Sequence, residues 1–129
     1  MNTPEGIPSI AKRVFKGVLF EIWQWEQVLY DGSTKIFERA ARPDSVAIIP
    51  VYRDTVVVEI QEQPQMGIFY SLPGGRCDDG VEPMRAAQRE LLEETGYTSD
   101  NWKLVSKDSP PSHHVAFSYY LFVARGCEK

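Results

Sequence analysis

The chain has 129 residues, of which 43% are hydrophobic and 25% are charged, so residues 1–129 are expected to form one domain with its own core. Its net charge is −4 and it has no basic block, which argues against nucleic acid as a partner. Two cysteines are too few for a disulfide framework or a zinc site. No apolar run approaches a membrane span and the N-terminus lacks a signal-like core, so we expect no membrane partner and a cytoplasmic location.

The first forty residues predict an arm followed by a hairpin. Residues 1–12 include two prolines and a glycine and are expected to form a loose N-terminal arm. Residues 14–40 are expected to form an N-terminal hairpin, because Asp31-Gly32 is a strong turn signal between two partly alternating runs.

The rest of the chain predicts strands on both sides of a single helix. Ser45–Tyr52 and Thr55–Ile60 are β-branched runs separated by a turn signal at Arg53-Asp54. Further strands are predicted at residues 68–72, 102–105 and 114–124. One helix with several strands on either side indicates an α+β fold, in which a mixed β-sheet carries the helix.

Residues 74–97 form the most informative segment, in which a glycine loop leads into the helix. Pro83 suits the first helical position, where its missing N–H is not needed. Gly96 suits the position just past the helix, where a left-handed residue closes the last turn. The segment therefore predicts a loop and a short helix with defined limits.

Three carboxylates lie along one face of this helix. Glu90, Glu93 and Glu94 are spaced i, i+3 and i+4, so their side chains are neighbours on the helix surface. Like charges one turn apart destabilise an isolated helix, so a cation is expected opposite them. Mg²⁺ fits, because it takes oxygen ligands and shares them with water and phosphate, and Mn²⁺ is the alternative ion.

A solvated ion-paired surface is the common alternative for a helix that carries acids and arginines. The glycine loop at residues 73–75 and the Arg89-Glu90 pair favour the metal site here. Arg89 can pair with Glu93 one turn on, or it can brace the loop through Glu82. We favour the bracing role, and in that role Arg89 is counted with the catalytic residues.

The segment from Gly75 to Tyr97 resembles the signature of the Nudix hydrolases. The residues that match the motif are Gly75, Arg89, Glu90, Leu91, Glu93, Glu94 and Gly96. Tyr97 stands where an aliphatic residue is usual, and Val81 occupies the position of the first motif Glu. Glu82 follows one residue later and is expected to take over the loop-bracing role of that Glu.

The order of the upstream segments is similar to that of the ADP-ribose pyrophosphatase branch of the family, over roughly residues 14–125. The resemblance implies that the N-terminal strands form part of the nucleotide pocket and join two chains in a homodimer. One departure is Gln61-Glu62-Gln63, which stands where the branch often has Gln-x-Arg. A phosphate-facing arginine that is common in the branch is therefore missing from this chain.

The resemblance also implies a fold and a reaction. The expected fold is a Nudix-type α/β/α sandwich with a mixed sheet and one catalytic helix, and the second, C-terminal helix is expected to be missing or short. The implied reaction is the Mg²⁺-dependent hydrolysis of a nucleoside diphosphate linked to another moiety, most often ADP-ribose or a similar nucleotide sugar. The products are a nucleoside monophosphate and a sugar phosphate.

The resemblance assigns roles to the loop and the helix. Glu90, Glu93, Glu94 and the carbonyl of Gly74 are expected to bind the metal ion. Glu93 or Glu94 is the candidate for the catalytic base, which must reach a water at about 2.6–3.2 Å. Gly74 and Gly75 let the backbone approach the substrate without a Cβ clash.

Three residues of the N-terminal hairpin give weaker signals for substrate binding. Trp23 and Trp25 are candidates for stacking on a nucleobase, although we favour a place in the core or in a dimer interface, where aromatic residues are common. Arg39 is a candidate for a phosphate contact, and a surface ion pair with Glu38 is an equal alternative.

Three functions therefore remain open. The first is a diphosphatase for ADP-ribose or a similar nucleotide sugar. The second is a Nudix nucleoside triphosphate pyrophosphohydrolase, which the missing arginine after Gln61 allows. The third is a catalytically weak module that binds a nucleotide; the displaced first Glu favours it, and the complete set of helix carboxylates argues against it.

Overall fold

The structure is a computed structural model, and it describes residues 3–110 and 114–129. These residues form eleven strands and one helix, which confirms the predicted α+β class. No helix among them is long and apolar enough to cross a membrane. The chain divides into two compact units, one built from the described residues of Met1–Pro43 and Ser109–Ser118 and the other from Asp44–Asp108 and Tyr119–Lys129.

The elements follow one another along the chain with the helix between the eighth and ninth strands. Strands β1 to β11 are Lys12–Lys16, Glu21–Val28, Thr34–Ala41, Ser45–Tyr52, Thr55–Val56, Glu59–Gln63, Gly67–Ser71, Gly74–Arg76, Asn101–Asp108, Val115–Ala116 and Tyr119–Arg125, and helix α1 is Pro83–Thr95.

The first unit contains a four-stranded sheet in the order β1-β2-β3-β10. β2 pairs antiparallel with β3 after a turn in which Gly32 has a φ of 85°, and β10 pairs parallel with β3. Trp23 and Ala41 lie in the core of this unit. The segment expected to be a loose arm contributes two buried side chains to that core, Ile7 and Ala11.

The second unit contains a mixed sheet in the order β5-β4-β11-β9, with β8 also paired to β4. β4 runs parallel to β11 and antiparallel to β8. Helix α1 packs against β4, β8 and β11, and its Leu91 is fully buried beside Ile48 and Phe122 in one apolar cluster. Strand β8 is therefore held between its partner strand and the carboxylate-bearing helix.

Two predicted strands are each divided in the structure. The run at residues 55–60 gives β5, which pairs with β4, and β6, which pairs with β7. The run at residues 114–124 gives all of β10, which pairs with β3, and most of β11, which pairs with β4 and β9. In both cases the strand prediction was wrong at the point where the chain changes its pairing partner, because a change of partner leaves the alternation of residues intact.

Candidate active site

Helix α1 begins and ends where the sequence predicts. Pro83 is in its first turn, and Gly96 follows it with a φ of 76° and donates its N–H to the carbonyl of Leu92 at 2.9 Å. The small side chains of Ala86 and Ala87 are buried. The helix backbone can therefore lie close to the strands that support it, which brings its carboxylates near the glycine loop.

The two loop glycines hold two of the helix carboxylates. The N–H of Gly74 donates to Oε2 of Glu94 at 3.0 Å. A Cβ added at Gly75 would lie 2.9 Å from the Cδ atom of Glu90, so a larger residue here would displace this carboxyl group from its position. The structure thus brings together four of the predicted site residues on β8 and α1.

Charge repulsion and burial both act on Glu90. Burial raises the pKa of its carboxyl group above the ordinary range, and the nearby Glu94 and Glu93 raise it further, while Arg89 partly offsets them. The side chain of Glu90 is only 18% exposed. A cation beside this face would relieve the repulsion, as the sequence pattern predicts.

Glu59 of β6 is a further carboxylate at this face, and it is not among the residues predicted from the sequence. Desolvation of its carboxyl group and a side-chain hydrogen bond shared with Glu59 together raise the pKa of Glu94 to about 7, and the N–H of Gly74 partly offsets them. Gln61 Nε2 donates to Glu59 Oε2 at 3.1 Å and to Ser71 Oγ at 2.5 Å. The only signal for Glu59 in the sequence is an acid at the end of a β-branched run.

Arg89 contacts an acid of the loop, but this acid is Asp78 and not the predicted Glu82. Its Nη2 lies 3.3 Å from Oδ2 of Asp78 and 3.9 Å from Oε1 of Glu90. Glu82 is the exposed N-cap residue of α1, in an extended conformation, and its bracing role stays a prediction. Asp78 lies in the loop between β8 and α1, as Glu82 does, but the spacing of the motif predicted Glu82 as the partner of Arg89.

The carboxylate face suits a metal ion that is shared with a substrate. In the part of the chain that the structure describes, no three histidine, cysteine, aspartate or glutamate side chains converge into a ready-made metal cage. Mg²⁺ usually keeps several waters and uses one or two protein carboxylates together with substrate phosphates. Glu90 and Glu94 lie against the glycine backbone and offer such a donor set, and Glu93, which is exposed like Glu94, lies beside them on the helix.

The predicted substrate residues of the N-terminal hairpin have different environments. Trp23 is 3% exposed and lies in the core of the first unit, as the favoured interpretation expected. Trp25 is half-buried and makes an edge-to-face contact with Phe37, with 6.1 Å between the ring centres. Arg39 donates from Nη1 to the carbonyl of Gly6 at 2.6 Å, and its Nε is buried with no hydrogen-bond partner among the described residues. Substrate binding by these residues stays a prediction.

Comparisons with known proteins agree on one family. The sequence pattern of the NUDIX domain matches residues 41–129. A methanol dehydrogenase activator from Bacillus methanolicus is 27% identical over 122 residues, which are 92% of this chain and 65% of that protein. An ADP-ribose pyrophosphatase from Bacillus subtilis is 30% identical over 94 residues, which are 70% of this chain and 51% of that protein.

A solved structure shows the same fold. It is described as an ADP compounds hydrolase, and it superimposes with a TM-score of 0.73 at 22% identity, covering 92% of this chain and 65% of that protein. The predicted Nudix-type fold is confirmed by this likeness. The chain spans 65% and 51% of the length of the two curated relatives above.

Proposed function

This chain belongs to the Nudix domain family, and on that basis we propose that it hydrolyses nucleoside diphosphates linked to another moiety, with ADP-ribose or a similar nucleotide sugar as substrate. The products are a nucleoside monophosphate and a sugar phosphate. The observation that carries the proposal is the packing of Glu90 and Glu94 on the backbone of Gly74 and Gly75. The names of the pyrophosphatase relative and of the hydrolase with the same fold support this substrate class.

The residues of the carboxylate face have separate roles in this proposal. In this proposal Mg²⁺, or Mn²⁺ as the alternative ion, would be held by Glu90, Glu93, Glu94 and the carbonyl of Gly74. When bound, the ion neutralises the diphosphate and lowers the pKa of a water. Gly74 orients the carboxylate of Glu94 through its N–H, and Arg89 holds the loop.

The chain itself must supply a base and an open approach for the substrate. Glu93 or Glu94 accepts the proton of the attacking water, within about 2.6–3.2 Å of the water oxygen. The glycine backbone of β8 exposes no side chain to the diphosphate, which allows a close approach.

We also propose an assembly and a location for this chain. In this proposal the chain is a cytoplasmic homodimer that pairs through its N-terminal strands. Val14 and Phe15 of β1 and Ile36 of β3 are each more than half exposed, at 54%, 58% and 59%, and a partner chain would cover such apolar side chains. Light scattering of the purified protein tests the dimer, and a monomeric mass at micromolar concentration contradicts it.

Hydrolysis of a nucleoside triphosphate is the second candidate. The segment Gln61-Glu62-Gln63 carries no arginine for a second nucleotide phosphate, and Gln61 is engaged with Glu59 and Ser71. A module that binds a nucleotide without turnover is the third candidate, favoured by Val81 at the position of the first motif Glu.

One assay separates the three functions. The purified chain is incubated with ADP-ribose, other nucleotide sugars and nucleoside triphosphates, first with Mg²⁺ and then with a chelator, and the products are separated by chromatography. Metal-dependent release of AMP and ribose 5-phosphate from ADP-ribose is the expected result. A monophosphate and pyrophosphate from triphosphates alone supports the second function, and thermal stabilisation by nucleotide without turnover supports the third. Either of these results overturns the first.

A further inference from the structure

A groove of about 470 Å³ lies in the second unit beside the carboxylate face. Residues 57–61 form one part of its lining, and Glu94 at the end of α1 forms another, together with Tyr97 and Lys129. The volume is in the range of small-molecule sites, which is about 300–1,000 Å³. Because Glu94 belongs both to the groove and to the proposed metal face, a ligand on that face extends directly into the groove.

The polar side of the groove is an ordered hydrogen-bonding surface. Glu59 shares a side-chain hydrogen bond with Glu94, and Gln61 Nε2 holds Glu59 from the other side at 3.1 Å. Ser71 in turn accepts from Gln61 at 2.5 Å. Carboxylate oxygens accept hydrogen bonds from hydroxyl groups, and an amide both accepts and donates. The arrangement therefore suits a ligand that carries several hydroxyl groups.

The lining also contains one aromatic residue, Tyr97. Tyr97 packs on Tyr52 with 5.2 Å between ring centres, and Lys129 Nζ lies 5.4 Å from the Tyr97 ring centre. Tyr97 occupies the motif position where an aliphatic residue is usual, so this chain adds an aromatic ring and a hydroxyl group to the groove. A single aromatic beside carboxylate and amide groups suits a sugar better than a base, which proteins commonly hold between stacked aromatic or apolar side chains.

We propose that this groove is the subsite for the sugar of the non-nucleotide half of the substrate, with Glu59, Gln61 and Tyr97 as the residues that determine its specificity. This assignment rests on the proposed function, because a diphosphate on the Glu90–Glu94 face brings the attached sugar to the groove. Hydrolysis adds the hydroxyl of water to one phosphorus, and the bridging oxygen leaves with the other phosphorus and takes up a proton. The sugar phosphate formed in this way remains in the groove until it dissociates.

Two matched variants of the β6–β7 hairpin test the assignment. Ile60 lines the groove and is 68% exposed. Ile68 on the neighbouring strand is 70% exposed and is not among the described residues that line the groove. Ile60→Trp therefore fills part of the groove, and Ile68→Trp places the same indole on the same hairpin outside it. Equal effects on folding are expected from the two substitutions.

Each variant is compared with the wild type on two substrates. ADP-ribose carries the sugar, and the β-methyl ester of ADP carries the same nucleotide and diphosphate without it. For Ile60→Trp we expect kcat/KM on ADP-ribose to fall about tenfold or more, chiefly through KM, and the methyl ester to be hydrolysed as by the wild type. Ile68→Trp should leave both substrates unchanged. Equal losses on both substrates in Ile60→Trp, or no loss on either, overturn the assignment while the hydrolase function stands.

Failure of the proposed function gives a different result. If the wild type turns over neither substrate, the groove is judged by calorimetric titration with ribose 5-phosphate. Binding to the wild type and to Ile68→Trp, with loss in Ile60→Trp, supports a sugar phosphate site without hydrolysis. Equal binding to all three proteins, or binding to none, overturns the assignment of the groove to a sugar.

Discussion

Replacing Gly74 by alanine tests how tightly β8 is held against β4. The added Cβ would lie 2.2 Å from the carbonyl oxygen of Val46 and 3.1 Å from Cα of Ala47. Both atoms belong to the backbone of β4, and Gly74 pairs directly with Ala47, so neither atom can rotate away. The strand must shift instead. We expect a loss of about 3 kcal/mol in the free energy of unfolding, at the upper end of the usual range for overpacking, and a fall in Tm of about 10 °C.

Gly75→Ala is the matched control, one residue along the same strand. Its Cβ would lie 2.9 Å from the Cδ and Oε1 atoms of Glu90, which are the end of a flexible side chain. The carboxyl group can turn away, so we expect a loss of stability below about 1 kcal/mol. Its displacement from the metal face should nevertheless lower turnover by about 100-fold, because misplacing a reacting group by an ångström has effects of that size.

The two variants are compared by urea and thermal unfolding followed by circular dichroism, and by metal-dependent turnover of ADP-ribose. The expected pattern is a large loss of stability in Gly74→Ala and a large loss of activity at near-normal stability in Gly75→Ala. A Gly74→Ala protein as stable as the wild type would refute the close approach of β8 and β4. A fully active Gly75→Ala protein would refute the role given to the position of Glu90.

Four further predictions concern the helix, the loop and the thiol of Cys77. Glu94→Gln should abolish turnover by chromatographic assay while circular dichroism stays unchanged, because the amide oxygen can still accept from the loop N–H; full activity would contradict the metal face. Asp78→Asn removes an exposed ion pair with Arg89, so we expect under about 1 kcal/mol of lost stability in urea but a lower kcat, and an unchanged kcat would argue against loop bracing. Cys77 is buried and burial raises the pKa of its thiol to about 11, so its reaction with a disulfide reagent should be slow until the protein is denatured, and rapid reaction in the native state would contradict this burial. The thiol of Cys77 ionises at a lower pH in the unfolded chain than in the folded protein, so the free energy of unfolding should fall as the pH rises from about 8.5 to about 11. A Cys77→Ser protein lacks this thiol and should lose less stability over the same range.

Local signals in the sequence predicted the helix and its loop well. Pro83 and Gly96 act on their own turn of backbone, so the limits of α1 could be derived without its neighbours. Glu59 could not be found in this way, because it reaches Glu94 only through the folding of β6 against the end of the helix. Asp78 was missed for a related reason, since the loop conformation rather than the motif spacing decides which acid meets Arg89.

The division of strands was equally beyond local reasoning. β5 and β6 are separated by only two residues, and one β-branched run in the sequence covers β5 and the first two residues of β6. Hydrophobic alternation indicates that a segment is extended, but it does not identify the strand that will pair with it. The change of partner depends on chain segments that are distant in sequence, such as β4 for the first strand and β7 for the second.

The path of the chain through its two units affects how the protein can be made. The first unit takes residues from both sides of the second, and the second resumes after Ser118 with β11, so neither unit is a continuous stretch of sequence. Ser45 of β4 pairs with Tyr119 of β11, which is the last strand of its sheet to be synthesised. During translation, the glycine loop and α1 therefore leave the ribosome before their supporting sheet can close. A nascent chain arrested before residue 119 should remain sensitive to protease even though every proposed metal ligand has already been made.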